Sequence, residues 1–172
     1  MNEKLSMQDL GRLSSDEFKA INKNKIILVL DNVRSLNNVG SAFRTADAFL
    51  IEEIYICGVT GIPPKPEIEK TALGATATVF WKYFKTTQLA LEELKLNNYF
   101  IASVEQAKNS IKLNQFQKPL QPIALVFGNE VYGVEQEIIN QSDVCLEIPQ
   151  FGTKHSFNVS VSMGIVLWEL LR

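Results

Sequence analysis

Five short apolar runs set the narrowest limit on what this chain can fold into: Ile26–Leu30, Ile54–Gly58, Phe100–Val104, Ile123–Phe127 and Val144–Ile148. They contain few alternating polar positions, so neither face is written for water, and that is the pattern of parallel strands buried on both sides. The intervening segments Asn38 to Leu50, Gln88 to Leu96 and Val134 to Asn140 read as helices. Strands alternating with helices predict an α/β fold, a mostly parallel sheet flanked by helices. The 172 residues, 46% of them hydrophobic, are enough for one domain with a real core. Gly61 to Pro66 holds three prolines and reads as a loop, because proline supplies no N–H to a helix interior or a central strand. Ser14-Ser-Asp-Glu17 is a helix-start signature, so residues 1–25 are expected to form a short helical extension ahead of a body spanning 26–172.

The C-terminal stretch joins a polar loop, with Pro149, Gly152, Ser156 and Asn158, directly to an apolar segment running from Val161 to Leu171. A helix start carries unpaired N–H groups that Ser156 or Asn158 can cap, so polar chemistry is placed at a helix N-terminus. The helix has two apolar stripes, Val159, Met163, Val166 and Leu170 on one and Val161, Ile165 and Trp168 on the other. A helix apolar nearly all round is buried on several sides, and a second subunit is the expected source of the extra cover.

Two other segments carry candidate chemistry. On the helix after the first strand, Val39, Phe43, Ala46 and Leu50 share a face, while Arg44 projects elsewhere, with Gly40 one turn before it and expected to leave open space beside the guanidinium. Arginine offers paired donors to phosphate or carboxylate; the alternative is a surface pair with Asp47. Phe127 to Gly133 leaves the fourth apolar run where parallel strands form ligand crevices, with Gly128 permitting close backbone approach and Glu130 placing a carboxylate at the rim. The dinucleotide and P-loop glycine patterns are absent, and His155 is the sole histidine, which argues against a metal cluster or a histidine triad. Cys57 and Cys145 lie in apolar runs without paired spacing and read as reduced core thiols. No apolar run approaches the ~20 residues of a membrane span, and the polar first 25 residues are unlike a signal peptide, so a soluble, cytoplasmic protein is expected. A net charge of −2 excludes binding to nucleic acid by overall charge, so an RNA contact needs a local basic face. Lys23, Lys25, Arg34, Lys65, Lys82 and Lys154 are candidates for it, and Lys154-His155 lie beside the C-terminal loop.

Taken together, Asn38-Val-Gly40 with Arg44, Gly128-Asn-Glu130 with Gly133, and Ile148-Pro149 with Gly152 and Ser156-Phe-Asn-Val-Ser160 resemble, in order and spacing, the SpoU family of RNA ribose 2′-O-methyltransferases of the SPOUT superfamily. The resemblance covers roughly residues 26 to 172, and a separate N-terminal RNA-binding domain of the kind some members carry is not expected. It departs at Gln150-Phe151, where the family often has Met and a small residue, and at Phe157, where leucine is usual.

The resemblance implies an α/β knot with a C-terminal trefoil, S-adenosylmethionine as cofactor with no metal, a homodimer, and RNA as substrate, tRNA before rRNA. It implies cofactor contacts from Phe127, Gly128, Ile148, Pro149 and Phe157. Ser156 and Asn158 are implied to line the site, Arg44 to orient or activate the ribose hydroxyl, in its own subunit or across a dimer, and Asn38 and Glu130 to support that arginine and the substrate. With no other base at hand, Glu130 or the substrate phosphate is left to accept the hydroxyl proton. The rival expectations are a non-catalytic RNA-binding or assembly protein with the same fold and a generic α/β nucleotide-binding module.

Overall fold

Strand β1 (Asn24–Asp31) is buried along its length after the first two residues, and its side chains alternate between two cores. In the computed structural model, which describes residues 2–6 and 9–172, Ile26, Leu28 and Leu30 point into one core and Ile27 and Val29 into the other. The remaining strands are β2 (Ile51–Cys57), β3 (Phe80–Phe84), β4 (Phe100–Val104), β5 (Ile111–Lys112), β6 (Ile123–Phe127) and β7 (Val144–Glu147). They form one parallel sheet in the order β3-β2-β1-β6-β4-β7-β5. The five apolar runs are therefore β1, β2, β4, β6 and β7, and the α/β expectation holds.

Helices α2 (Leu36–Ala48), α3 (Pro66–Ala72) and α6 (Val159–Leu171) share the first core, through Val39, Phe43, Ile68, Met163, Val166 and Leu167. Helices α4 (Thr87–Leu96) and α5 (Gln136–Gln141) cover the opposite face through Ala90, Leu91, Leu94 and Ile138. The short α1 (Ser15–Ala20) starts at the expected signature, where Ser14 and Glu17 cap reciprocally, and its Phe18 reaches the first core.

Three elements were not expected. Strand β3 is an edge strand with Phe80, Lys82 and Tyr83 exposed and Trp81 and Phe84 partly buried, and Lys82 interrupts the apolar run that its neighbours keep continuous. Strand β5 has two residues and pairs with β7 at the edge of the sheet. Helix α3 begins at the last proline of the loop, which takes the first helical turn, where a missing N–H costs nothing.

The two stripes of α6 separate as their spacing required. Met163, Val166 and Leu170 are buried, whereas Val161 and Trp168 face outward and are 49% and 65% exposed.

Gly40 differs from expectation. It does not leave room beside Arg44; a Cβ there would lie 2.0 Å from Thr71 Oγ1 and 2.2 Å from the Ile68 carbonyl oxygen, so the glycine lets α2 and α3 touch backbone to backbone. Nor does Arg44 pair with Asp47, whose carboxylate accepts instead from Thr78 Oγ1 at 2.7 Å.

Cys57 is buried and Cys145 half-buried, and both are free thiols. Burial pushes the Cys57 thiol up to about 12, which keeps it inert. Among the described residues no helix is long and apolar enough to cross a membrane.

Gly40→Ala is expected to destabilise the fold by about 3 kcal/mol, the upper part of the overpacking range, because the obstructing atom is backbone. Urea denaturation followed by circular dichroism checks it.

Candidate active site

The carboxyl ends of β4, β6 and β7 open on one side of the sheet, and the loops leaving them build a cleft of about 480 Å³. After β6 the chain turns back on itself. Asn129 and Gly133 exchange backbone hydrogen bonds of 3.0 and 2.9 Å, and Asn129 Oδ1 accepts from the N–H groups of Val131 and Tyr132. The turn needs two glycines for different reasons. Gly133 adopts a φ of 68°, and a Cβ on Gly128 would lie 2.1 Å from the Val134 nitrogen. The close approach at Gly128 on the Cβ side is thus made by the chain's own turn.

That turn delivers Glu130 to the start of α2. Its carboxylate accepts from the N–H groups of Arg34 and Ser35 and from Asn38 Nδ2, each at 2.9 Å. Partial burial opposes its charge, but these donors outweigh the burial and hold the Glu130 carboxyl below its ordinary value. An anion at a helix N-terminus is also favoured by the helix dipole. Asn38, itself buried, accepts in turn from Asn158 Nδ2 at 3.2 Å. Asn158 is the N-cap of α6, its Oδ1 accepting from the Ser160 N–H at 2.9 Å. A chain of polar contacts, Glu130 to Asn38 to Asn158, thereby joins the three segments that carry the candidate residues.

Of those residues, Phe127, Gly128, Glu130, Ile148, Ser156, Phe157 and Asn158 line the cleft. Asn38 stands behind it, and Pro149 sits between the lining residues Ile148 and Gln150 without lining it. Arg44 is elsewhere. It borders a second groove, of about 550 Å³, between α2 and α6, with Ala48, Phe49, Gly164, Ile165 and Trp168. Within one chain, then, Asn38 and Glu130 hold each other and not Arg44. Glu130 is also a poor proton acceptor, since its oxygens are occupied and its carboxyl resists protonation.

Two cleft residues just past β4 had no motif to announce them. Glu105, just past β4, accepts from the Val134 N–H at 3.0 Å and the Gln106 N–H at 2.8 Å. Gln106 Nε2 donates to the His155 carbonyl at 2.5 Å, tying β4 to the C-terminal loop. The only usable signal was their position at the carboxyl end of an expected strand.

Among the described residues no lysine or arginine lines the cleft. Its walls are apolar at Val104, Phe127, Leu146, Ile148 and Phe157 and polar at Gln150, Ser156, Asn158 and Ser162, with two carboxylates. That set suits a ligand with an apolar body, hydroxyl or amine groups and no phosphate. Among the described residues no cluster of three or more His, Cys, Asp or Glu could hold a metal.

Residues 25–168 match the model of the SpoU rRNA Methylase family. The chain belongs to that family. It is 31% identical over 147 residues to a tRNA (guanosine(18)-2′-O)-methyltransferase from Aquifex aeolicus, covering 86% of this chain and 69% of that protein. It is 31% identical over 160 residues to a 23S rRNA (guanosine-2′-O-)-methyltransferase from Nitrosomonas europaea, covering 91% of this chain and 60% of the relative, so it spans about three fifths of that protein's length. The crystal structure of the A. aeolicus TrmH/SpoU tRNA modifying enzyme superposes with a TM-score of 0.78 at 30% identity, over 87% of this chain and 75% of that one. An AdoMet-bound rRNA methyltransferase from Sinorhizobium meliloti shares the fold, with a TM-score of 0.81 at 24% identity over 89% of this chain and 59% of that one.

In this SpoU family member the candidate basic residues divide by position. Lys25 pairs with Glu52 at 2.5 Å, Lys82 with Glu93 at 2.7 Å, and Lys23 donates to the Phe18 carbonyl, so these three are engaged within the fold. Arg34, Lys65 and Lys154 are exposed and follow β1, β2 and β7, at the end of the sheet that carries the cleft.

Glu130 titrates lower folded than unfolded, so the stability it contributes is complete above the unfolded value of about 4.3 and is lost as pH falls through the folded value. Glu130→Ala is expected to cost about 1 kcal/mol at neutral pH, a modest figure because the carboxylate faces solvent. The gap from the parent should shrink below about pH 4 in denaturation curves taken across that range.

Proposed function

We propose that this chain is an S-adenosylmethionine-dependent RNA ribose 2′-O-methyltransferase that works as a homodimer on tRNA in preference to rRNA. The observation that carries the reading is convergence: three segments from distant parts of the chain meet at one cleft, linked by Glu130, Asn38 and Asn158. The cation-free lining fits a cofactor without phosphate and speaks against a module for nucleotide polyphosphates. The preference for tRNA leans on the larger share of the Aquifex relative that the chain spans. The knotted threading, the division into an extension over 1–25 and a methyltransferase body over 26–172, and a cytoplasmic site of action suited to free thiols belong to the same proposal.

When bound, the cofactor would supply a sulfonium methyl: the ribose oxygen would form the new O–CH3 bond as the C–S bond breaks with its electron pair left on sulfur, and the hydroxyl proton would pass to the substrate phosphate. The protein's task is placement, which in favourable cases supplies ~7–11 kcal/mol of the barrier. Phe127, Ile148 and Phe157 exclude water, and Ser156 and Asn158 offer hydrogen bonds at the cleft mouth. Glu130 braces the turn and accepts no proton. Arg44, permanently charged, grips the phosphate beside the target ribose and eases charge building on its oxygen.

The dimer explains how Arg44 takes part. Ile165 and Trp168 of the outward stripe border the groove that Arg44 also borders, so a second copy covering that groove brings Arg44 to the edge of its partner.

Arg44→Ala is expected to lower the methylation rate on total RNA at least about 100-fold, the scale of losing one charge-stabilising donor. Its affinity for S-adenosylmethionine in calorimetry should be unchanged. Unaltered methylation would remove Arg44 from the site. Trp168→Glu should yield monomers in sedimentation and no methylation, and mapping ribose methylation in cells with and without the protein identifies the RNA. A protein that neither binds the cofactor nor changes any ribose methylation is the non-catalytic alternative.

A further inference from the structure

Among the residues lining the cleft, Glu105 is the carboxylate whose charge nothing offsets. Glu130 lies on the N-terminus of α2 and accepts three hydrogen bonds there. Glu105 accepts only from two neutral amides, those of Gln106 and Val134, and forms no ion pair among the described residues. Two acceptor sites of the roughly four on its oxygens are therefore left for a ligand. Its place is narrowly fixed. One amide is on the residue that follows it and the other on the β6 turn, and a Cβ on Gly133 would sit 2.0 Å from Glu105 Oε2, so the side chain packs directly on that glycine. Among the described residues no lysine or arginine lines the cleft to neutralise it.

We propose that Glu105 is the specificity residue by which the cleft distinguishes the positively charged methyl donor from the demethylated product. The inference rests on the cofactor reading above. Donor and product differ by one methyl group and one positive charge. The methyl alone is worth about fourfold in affinity when fully buried. The charge difference reaches further: a cleft of about 480 Å³ is on the order of 10 Å across, comparable to the screening length at about 0.1 M salt. Apolar walls at Phe127, Leu146 and Ile148 lower the local dielectric and strengthen the attraction. Once the methyl group is transferred, Glu105 no longer attracts a cation, and the product leaves more readily than the donor.

Calorimetry with S-adenosylmethionine, S-adenosylhomocysteine and an analogue bearing an amine in place of the sulfonium tests this on the full chain and on Glu105→Gln. The parent should bind both cationic ligands about tenfold more tightly than the thioether. Glu105→Gln should cut that preference to about threefold or less, chiefly by weakening the cationic ligands, with the thioether's affinity held within about twofold. Loss of all three affinities in equal measure would mean that Glu105 only braces the turn, and would overturn the proposal while leaving the cofactor reading intact. A parent protein that binds none of the three would sink the cofactor reading and this proposal together. A measurement on the parent alone covers the case of a variant that does not fold. Raising salt from about 0.1 to about 1 M shortens the screening length from about 10 to about 3 Å and should narrow the preference. A preference indifferent to salt would also overturn the proposal.

Discussion

The contact on which the site depends is the Glu130 carboxylate seated on the first turn of α2. It bridges residues 92 to 96 positions apart in the chain, and through Asn38 it draws in Asn158, another 120 positions away. Each donor it meets would otherwise be an unpaired N–H at a helix start or a buried amide, and both are costly to leave unsatisfied. The anion, the helix dipole and the buried asparagine therefore support one arrangement of the three loops. The same arrangement removes Glu130 from proton transfer, because a carboxylate stabilised by three donors is a weak base.

Charge is divided between two surfaces. The cleft carries carboxylates and no lysine or arginine, while Arg44 stands at the rim of a separate apolar groove between α2 and α6. A cation inside the cleft would compete with a cationic occupant for the same carboxylates. Keeping the arginine outside it avoids that conflict, and helix α6 supports both surfaces, with Asn158 at its start beside the cleft and Trp168 near its end on the groove.

Most of the central sheet was legible before any coordinates, since β1, β2, β4, β6 and β7 are continuous apolar runs and continuous runs arise where both strand faces are covered. Strand β3 escaped because an edge strand is free to be amphipathic, and β5 because two residues carry no period. Gly40 was legible as a special position but not for its reason, since no local pattern reveals that α3 will press against it. Glu105 and Gln106 lie in a stretch whose residue types are ordinary for a loop, and only the neighbouring turns give them partners.

By itself, the sequence determined the α/β class, the two-sided burial of the sheet, the two-stripe character of α6 and seven of the residues that line the cleft. These follow from local periodicity and from residue types whose chemistry travels with them. Tertiary structure alone decided that Glu130 is a brace, that Arg44 stands apart from the cleft, that Asn158 and not Ser156 caps α6, and that Glu105 lines the cleft with no ion pair among the described residues. Each of those outcomes turns on which distant groups lie within hydrogen-bonding reach, and folding, not chain order, sets that distance.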